Sequence, residues 1–310
     1  MNLLILGGSG FVGRAVCTKL VADGHRVTVA TRVRDHARAL FPLPSLTVIE
    51  ADVHDAATLA KLAVGQDALI NLAGTLNGDF ERVHVALTRS ALDACRAAGV
   101  RRYLHMSALG ASLDGPSDYL KSRATAEALV RESGLDTTIF APSVIFGRED
   151  RFLNRFATLV RMTPPLSPFA LPGASTRMQP VWVDDVARVV VAALSTPATI
   201  GQRYELAGPK VYSLRELVRY VMTLAEDRHP IIGLPNGVSM LLATLMSLMP
   251  GELLTRDNVR SLRVDNVSNA EWPAFAGRRA ALEDVAPTYL GRVAAYDAFA
   301  DARERAGRLS

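Results

Sequence analysis

The sequence predicts an α/β fold, a doubly wound parallel sheet with a smaller C-terminal lobe, and three observations predict it. The apolar run Asn2-Leu3-Leu4-Ile5-Leu6 leads into Gly7-Gly8-Ser9-Gly10-Phe11-Val12-Gly13 and then an amphipathic stretch from Arg14 to Asp23, the order strand, glycine turn, helix. Strand-like and helical patterns then alternate through the first half of the chain. Repeated β-α units give a parallel sheet with right-handed crossovers and helices on both faces. Finally, 310 residues that are 49% hydrophobic and 21% charged suffice for one large α/β domain plus a lobe. Residues 1–147 and 179–207 are expected to form the sheet domain, and 148–178 and 208–310 the lobe.

The first turn carries the first chemistry. Its spacing is Gly-x-x-Gly-x-x-Gly. Gly7 lets the chain turn sharply off the strand, and Gly10 lets backbone N–H groups approach a pyrophosphate. Gly13 lets the helix pack closely, with its positive end facing the phosphates. Gly7, Ser9, Gly10, Phe11, Val12 and Gly13 are therefore the first candidate cofactor-binding residues, and the fold is expected to be Rossmann-type.

Further strands are predicted at 26–31, 46–51, 68–72, 103–107 and 137–141. Helical patterns lie between them at 35–40, 56–64, 80–98 and 118–133. Ligands of such a sheet gather at the carboxyl ends of its strands. An NAD site usually has an acid at the end of the second strand. Here the stretch reads Ala30-Thr31-Arg32-Val33-Arg34, with arginines suited to embrace a 2′-phosphate and stack on adenine. NADP(H) is expected over NAD(H), with Arg32 as the main contact. Asp52-Val53 is placed to meet the adenine, and Asn71-Leu72-Ala73-Gly74 to lie beside the nicotinamide ribose; capping of the following helices is the other use of either stretch.

The fifth strand ends at Ser107, and Tyr119-Leu120-Lys121-Ser122-Arg123 follows at the start of a helix. Tyr119 and Arg123 share a helix face, where the cation can lower the phenol pKa and let it exchange a proton, while Ser107 polarises the same substrate oxygen. The same spacing also suits a surface helix contact.

The glycine turn, Asn71–Gly74, Ser107 and Tyr119 together resemble the extended and atypical short-chain dehydrogenase/reductase superfamily. That superfamily carries Tyr-x-x-x-Lys. Here Arg123 holds the lysine position and Lys121 lies two residues after the tyrosine. An arginine keeps positive charge near the phenol but cannot relay a proton as an ammonium does. Ala141-Pro142-Ser143-Val144-Ile145-Phe146-Gly147 resembles the loop against the nicotinamide, which adds Pro142, Ser143 and Val144 to the candidates. Gln179–Ala187 resembles the return segment of extended members, with Asp184 expected as a helix N-cap. Tyr204–Pro209 and Tyr212–Leu217 are also family-like. Leu254-Thr255-Arg256-Asp257-Asn258-Val259 and Val264-Asp265-Asn266-Val267 are similar to the group of the alpha-subcomplex subunit nine of NADH:ubiquinone oxidoreductase, respiratory complex I. From the residues alone, 255–267 is an amphipathic helix capped by Thr255.

The resemblance implies a protein that holds NADPH with little or no turnover, linked to a quinone-dependent membrane complex or to ubiquinone synthesis. The alternative is an active NADPH-dependent reductase of an apolar carbonyl or quinone. Ser107, Tyr119 and Arg123 are the catalytic candidates in the second case.

The rest of the chain narrows the partners. A net charge of +4 without a dense basic block does not imply nucleic acid. Cys17 and Cys95 sit in helical apolar patterns, and with no metal-ligand spacing or disulfide framework a reducing compartment fits. Gly7 interrupts the first apolar run before a signal core forms. The cytoplasm, or the periphery of the inner membrane, is the expected location. Thr163–Gly173 reads as a loop over the cofactor mouth. Residues 230–251 contain no charge, and Val238–Met249 is apolar on nearly all sides yet too short to span a bilayer, which takes about 20 residues. It is either a buried lobe helix or a surface for a membrane, a partner or a quinone-type substrate.

Overall fold

The computed structural model describes residues 1–164, 167–246 and 254–290. In chain order the elements are β1 (Asn2–Leu6), α1 (Phe11–Ala22), β2 (Arg26–Thr31), β3 (Leu46–Glu50), α2 (Ala56–Ala63), β4 (Ala68–Asn71), α3 (Leu87–Ala98), β5 (Arg102–Met106), α4 (Asp118–Arg131) and β6 (Asp136–Pro142). There follow β7 (Ile145–Phe146), α5 (Leu153–Met162), β8 (Phe169–Pro172), β9 (Arg177–Met178), β10 (Val181–Trp182), α6 (Val183–Leu194), β11 (Arg203–Leu206), β12 (Tyr212–Ser213), α7 (Leu214–Leu224), β13 (Ile231–Leu234), α8 (Asn236–Met246) and α9 (Arg256–Ser261).

Seven strands form one parallel sheet in the order β11-β6-β5-β4-β1-β2-β3. The order reverses between β1 and β4, and this switch opens a crevice at the carboxyl ends of both strands. The central strands β1, β4, β5 and β6 are buried on both faces because helices cover both, while the edge strands β3 and β11 are only partly buried. Leu3 and Ile5 pack with Val16, Leu20, Val186 and Val190 of α1 and α6. Leu4 and Leu6 pack on the opposite face with Leu59, Leu92 and Val130 of α2, α3 and α4. A second core joins Phe146, just past the end of β6, with Leu153, Phe169, Leu171, Leu217 and Val221.

Several local expectations change. The pattern at 80–98 begins as a π-helical turn, Glu81–Ala86, before becoming α3, and 34–40 is a 3₁₀ helix. Thr163–Gly173 is not wholly loop. β8 pairs with β13, and Phe169 and Leu171 enter the lobe core while Ala170 faces out, an alternation masked in the sequence by Pro168 and Pro172. Pro165 and Leu166 of that stretch lie outside the described residues.

Asp184 is not the N-cap of α6. Trp182 holds that position with extended backbone, and the buried acid is Asp185, which accepts from the Ala280 N–H at 2.7 Å and pairs with Arg188. Thr255 does cap α9, reciprocally with Asn258, but the helix ends at Ser261. Asn266 then runs extended, bridged to Met178, because this segment finds its partners across the lobe. The apolar helix α8 ends at Met246, and Ser247–Met249 of the predicted helix lie outside the described residues.

Candidate functional site

The glycine turn is built as its spacing requires. Gly7 has φ +77°, and a Cβ there would lie 2.8 Å from the Ala73 nitrogen. A Cβ on Gly13 would lie 2.6 Å from the Gly8 Cα, so α1 can approach β1 this closely only without a side chain. Gly10 occupies the N-cap of α1 with no side-chain cap and no acid in the first turn. The helix therefore presents its N–H groups and partial positive charge uncommitted, the environment a pyrophosphate needs. Val12 packs on the core. A Cβ on Gly147 would lie 3.2 Å from the Phe11 ring. The Ser9 carbonyl accepts from Arg14 Nε at 3.0 Å, and Arg14 pairs with Glu149 at 2.7 Å.

At the other end of the crevice the two arginines separate. Arg34 lies over the Phe41 ring, 5.4 Å from its centroid. Arg32 is exposed and makes no side-chain hydrogen bond or ion pair among the described residues. Asp52 accepts from the His54 N–H at 3.0 Å and lies 3.9 Å from Arg82, while Val53 is partly buried. Burial first, then the positive charge of Arg82 with a smaller push from Arg32, holds His54 below its ordinary pKa. The following helix is capped by Asp55, so the alternative use of Asp52 as a helix cap does not hold.

The carboxyl ends of β4 and β5 meet α4. Asn71 is buried, donates to the Tyr103 hydroxyl at 3.0 Å and accepts from the Ala73 N–H at 3.1 Å, which shapes the turn Leu72-Ala73-Gly74. Tyr119 stands half-buried, edge-on to Phe80 and His84, with centroids 5.9 and 5.6 Å away. Its hydroxyl makes no hydrogen bond among the described residues. Arg123 shares its face, as the i,i+4 spacing predicts, with its guanidinium carbon 5.5 Å from the Tyr119 ring centroid. That guanidinium is buried and donates to the Met106 carbonyl at 2.9 Å and the Ala73 carbonyl at 3.4 Å. Ser107 is also buried and donates to Glu127 at 2.6 Å; Arg203 and Arg131 pair with the same carboxylate at 2.9 and 2.8 Å.

Four participants are not among the site residues expected from the sequence. His84, from the π turn, accepts from the Thr75 N–H at 3.1 Å through Nε2, so Nδ1 carries the proton shared with Ser122 at 2.8 Å. Burial, reinforced by Arg123 and His105, holds His84 down to about 2, so it stays neutral. Glu127 lies one helical turn beyond Arg123. Asp257 and Asn266 arrive from the lobe, and Asn266 accepts from Ser143 Oγ at 2.5 Å and the Val144 N–H at 2.9 Å, immediately after Pro142. Their motifs stand out in the sequence, but nothing local says what they touch.

No group of histidine, cysteine and acidic side chains among the described residues has the arrangement to hold a metal ion. Cys17 and Cys95 are buried, which pushes both thiols up to about 12, far from the thiolate form.

Comparison with known proteins agrees with this geometry. The pattern of a family described as NAD(P)H-binding matches residues 7–197. The mitochondrial NADH dehydrogenase [ubiquinone] 1 alpha subcomplex subunit 9 of Mus musculus is 35% identical over 280 residues, 87% of this chain and 74% of that protein. A ceramide reductase of Caulobacter vibrioides is 31% identical over 62% of this chain and 61% of its own length. Among solved structures, an NADPH-dependent quinone oxidoreductase of Escherichia coli complexed with NADPH superposes with a TM-score of 0.76 at 19% identity, over 93% of this chain and 99% of that one.

Proposed function

The chain belongs to the NAD(P)H-binding short-chain dehydrogenase/reductase superfamily, with relatives in the subunit-nine group of complex I, and we propose that it holds NADPH with little or no turnover at a quinone-linked membrane system. The sheet domain (1–147 and 179–207) grips the dinucleotide, and the described part of the lobe (148–178 and 208–310) lines its nicotinamide end. Gly7, Ser9, Gly10, Phe11, Val12 and Gly13 hold the pyrophosphate. Arg32 takes the 2′-phosphate, Asp52 and Val53 face the adenine, and Leu72, Ala73, Gly74, Pro142, Ser143 and Val144 line the nicotinamide half.

One observation carries the low-turnover reading: both polar partners expected of Tyr119 are committed to the protein itself. Ser107 donates to Glu127, and Arg123 turns Nη1 onto the Met106 and Ala73 carbonyls with its charge over the ring of Tyr119, leaving its buried Nε without a partner among the described residues. The membrane link is supported by α8, which carries no charge and leaves Val238, Leu241 and Leu245 at 49%, 62% and 56% exposure along one stripe. Among the described residues no helix is long and apolar enough to cross a membrane. The link would be to the inner membrane, through a membrane complex or ubiquinone synthesis.

The test is to purify the protein, identify the nucleotide released on denaturation, and follow the reduced-nicotinamide absorbance against carbonyl and quinone panels. NADPH is expected, with no oxidation in wild type or Tyr119→Phe. Steady oxidation that drops about a hundredfold in Tyr119→Phe would overturn this reading in favour of a second, an NADPH-dependent reductase of an apolar carbonyl or quinone. The half-exposed Tyr119 with its free hydroxyl supports that second reading, as does the likeness to a ceramide reductase.

A further inference from the structure

A single lobe segment, 255–268, touches both walls of the crevice at its nicotinamide end. On one wall the Asp257 carboxylate accepts from the Asp118 N–H at 2.8 Å and the Tyr119 N–H at 3.1 Å. These are first-turn donors of α4 that no helical carbonyl reaches, and a carboxylate there complements the helix dipole. Ser261 donates to Ser117 at 2.8 Å, and Ser117 in turn caps α4 at the Leu120 N–H. Arg260 pairs with Asp118 at 3.4 Å. On the opposite wall Asn266 accepts from Ser143 and Val144, donates to the Leu109 carbonyl at 3.4 Å, and accepts through its own carbonyl from the Gln179 N–H at 3.1 Å. None of these contacts reaches the glycine turn or Arg32.

We propose that this segment is a clamp that shapes the nicotinamide half of the dinucleotide site and leaves the adenylate half untouched, with Asp257 and Asn266 as its positioning residues. The proposal rests on the dinucleotide reading above. Asn266 sets the spacing and orientation of the Pro142–Val144 loop, and Asp257 sets the start of the helix that carries Tyr119. Loss of either side chain loosens one wall against the nicotinamide, whereas the pyrophosphate and 2′-phosphate contacts come from elements the clamp does not touch.

The experiment compares NADPH with 2′-phospho-ADP-ribose, which lacks only the nicotinamide, by calorimetry on the full chain. Wild type is expected to bind NADPH more tightly. Asn266→Ala removes the side-chain hydrogen bonds to the Ser143–Val144 loop and to the Leu109 carbonyl, keeps the backbone bond from Gln179, and should weaken NADPH about tenfold or more while leaving 2′-phospho-ADP-ribose within about twofold. Asp257→Asn, which keeps the shape but accepts only one of the two N–H groups, should show the same selectivity at about fivefold. Equal weakening of both ligands, or of neither, in the two variants overturns the clamp. Wild type that binds neither ligand overturns the dinucleotide reading instead, so the two failures are distinct.

Discussion

Gly74 and Arg123 make a coupled pair whose coupling can be measured. Gly74 does not hold left-handed backbone, so alanine is conformationally allowed there and any cost of Gly74→Ala is steric. Its Cβ would overlap Arg123 Nη2 and lie 3.2 Å from Cζ. The guanidinium cannot swing aside freely, because Nη1 is held by the Met106 carbonyl at 2.9 Å inside a buried site. Gly74→Ala should therefore destabilise by about 1–3 kcal/mol, the usual range for overpacking. Arg123→Ala alone should cost about 1.5–3 kcal/mol for its charge-assisted hydrogen bond, plus the space it leaves. In the Arg123→Ala background Gly74→Ala meets nothing and should be neutral, or stabilising by about 0.4–1 kcal/mol through the unfolded chain. Urea unfolding of the four proteins by circular dichroism gives the cycle. Additivity within about 0.5 kcal/mol would refute the contact.

Arg32→Ala should erase the preference for NADPH over NADH, a loss of about tenfold to over a hundredfold in NADPH affinity with NADH unchanged; equal wild-type affinities by calorimetry would rule out the role of Arg32. Leu241→Glu combined with Leu245→Glu should leave a folded, nucleotide-bound protein that no longer cosediments with anionic liposomes, whereas wild type that ignores liposomes and membrane extracts rules out the contact. Stability should fall as pH drops below 6.5. Burial, reinforced by Arg123, holds folded His105 down to about 3 and folded His84 to about 2, so only the unfolded chain takes up protons. Each histidine then removes about 1.4 kcal/mol per pH unit below 6.5. Neither ring nitrogen of His105 has a hydrogen-bond partner among the described residues, so His105→Phe should fold and roughly halve that slope. An unchanged pH dependence of the urea midpoint would count against it.

The strand–turn–helix opening and the β-α alternation are legible in the sequence because each rests on short-range physics. Gly7 needs a left-handed turn, Gly13 needs a missing Cβ, and the central strands β1 and β4 read as short apolar runs. The face shared by Tyr119 and Arg123 follows from helix geometry alone. What those side chains do is another matter. Whether Arg123 points at a ribose or at the Met106 carbonyl, and whether Ser107 faces the crevice or Glu127, depends on groups brought together from 17 and 20 residues away. The same holds for Asp257 and Asn266. As sequence they suggest a continuing helix, and only the packing of the lobe against α4 and the Pro142–Val144 loop breaks that helix at Ser261 and turns their polar groups onto donors 120 to 140 residues distant. The sequence by itself determined the periodicity and turns of this protein, because those energies are local. Tertiary structure decided which polar groups are satisfied by the protein and which remain for a ligand, because a buried donor or acceptor takes the partner that the whole fold places beside it.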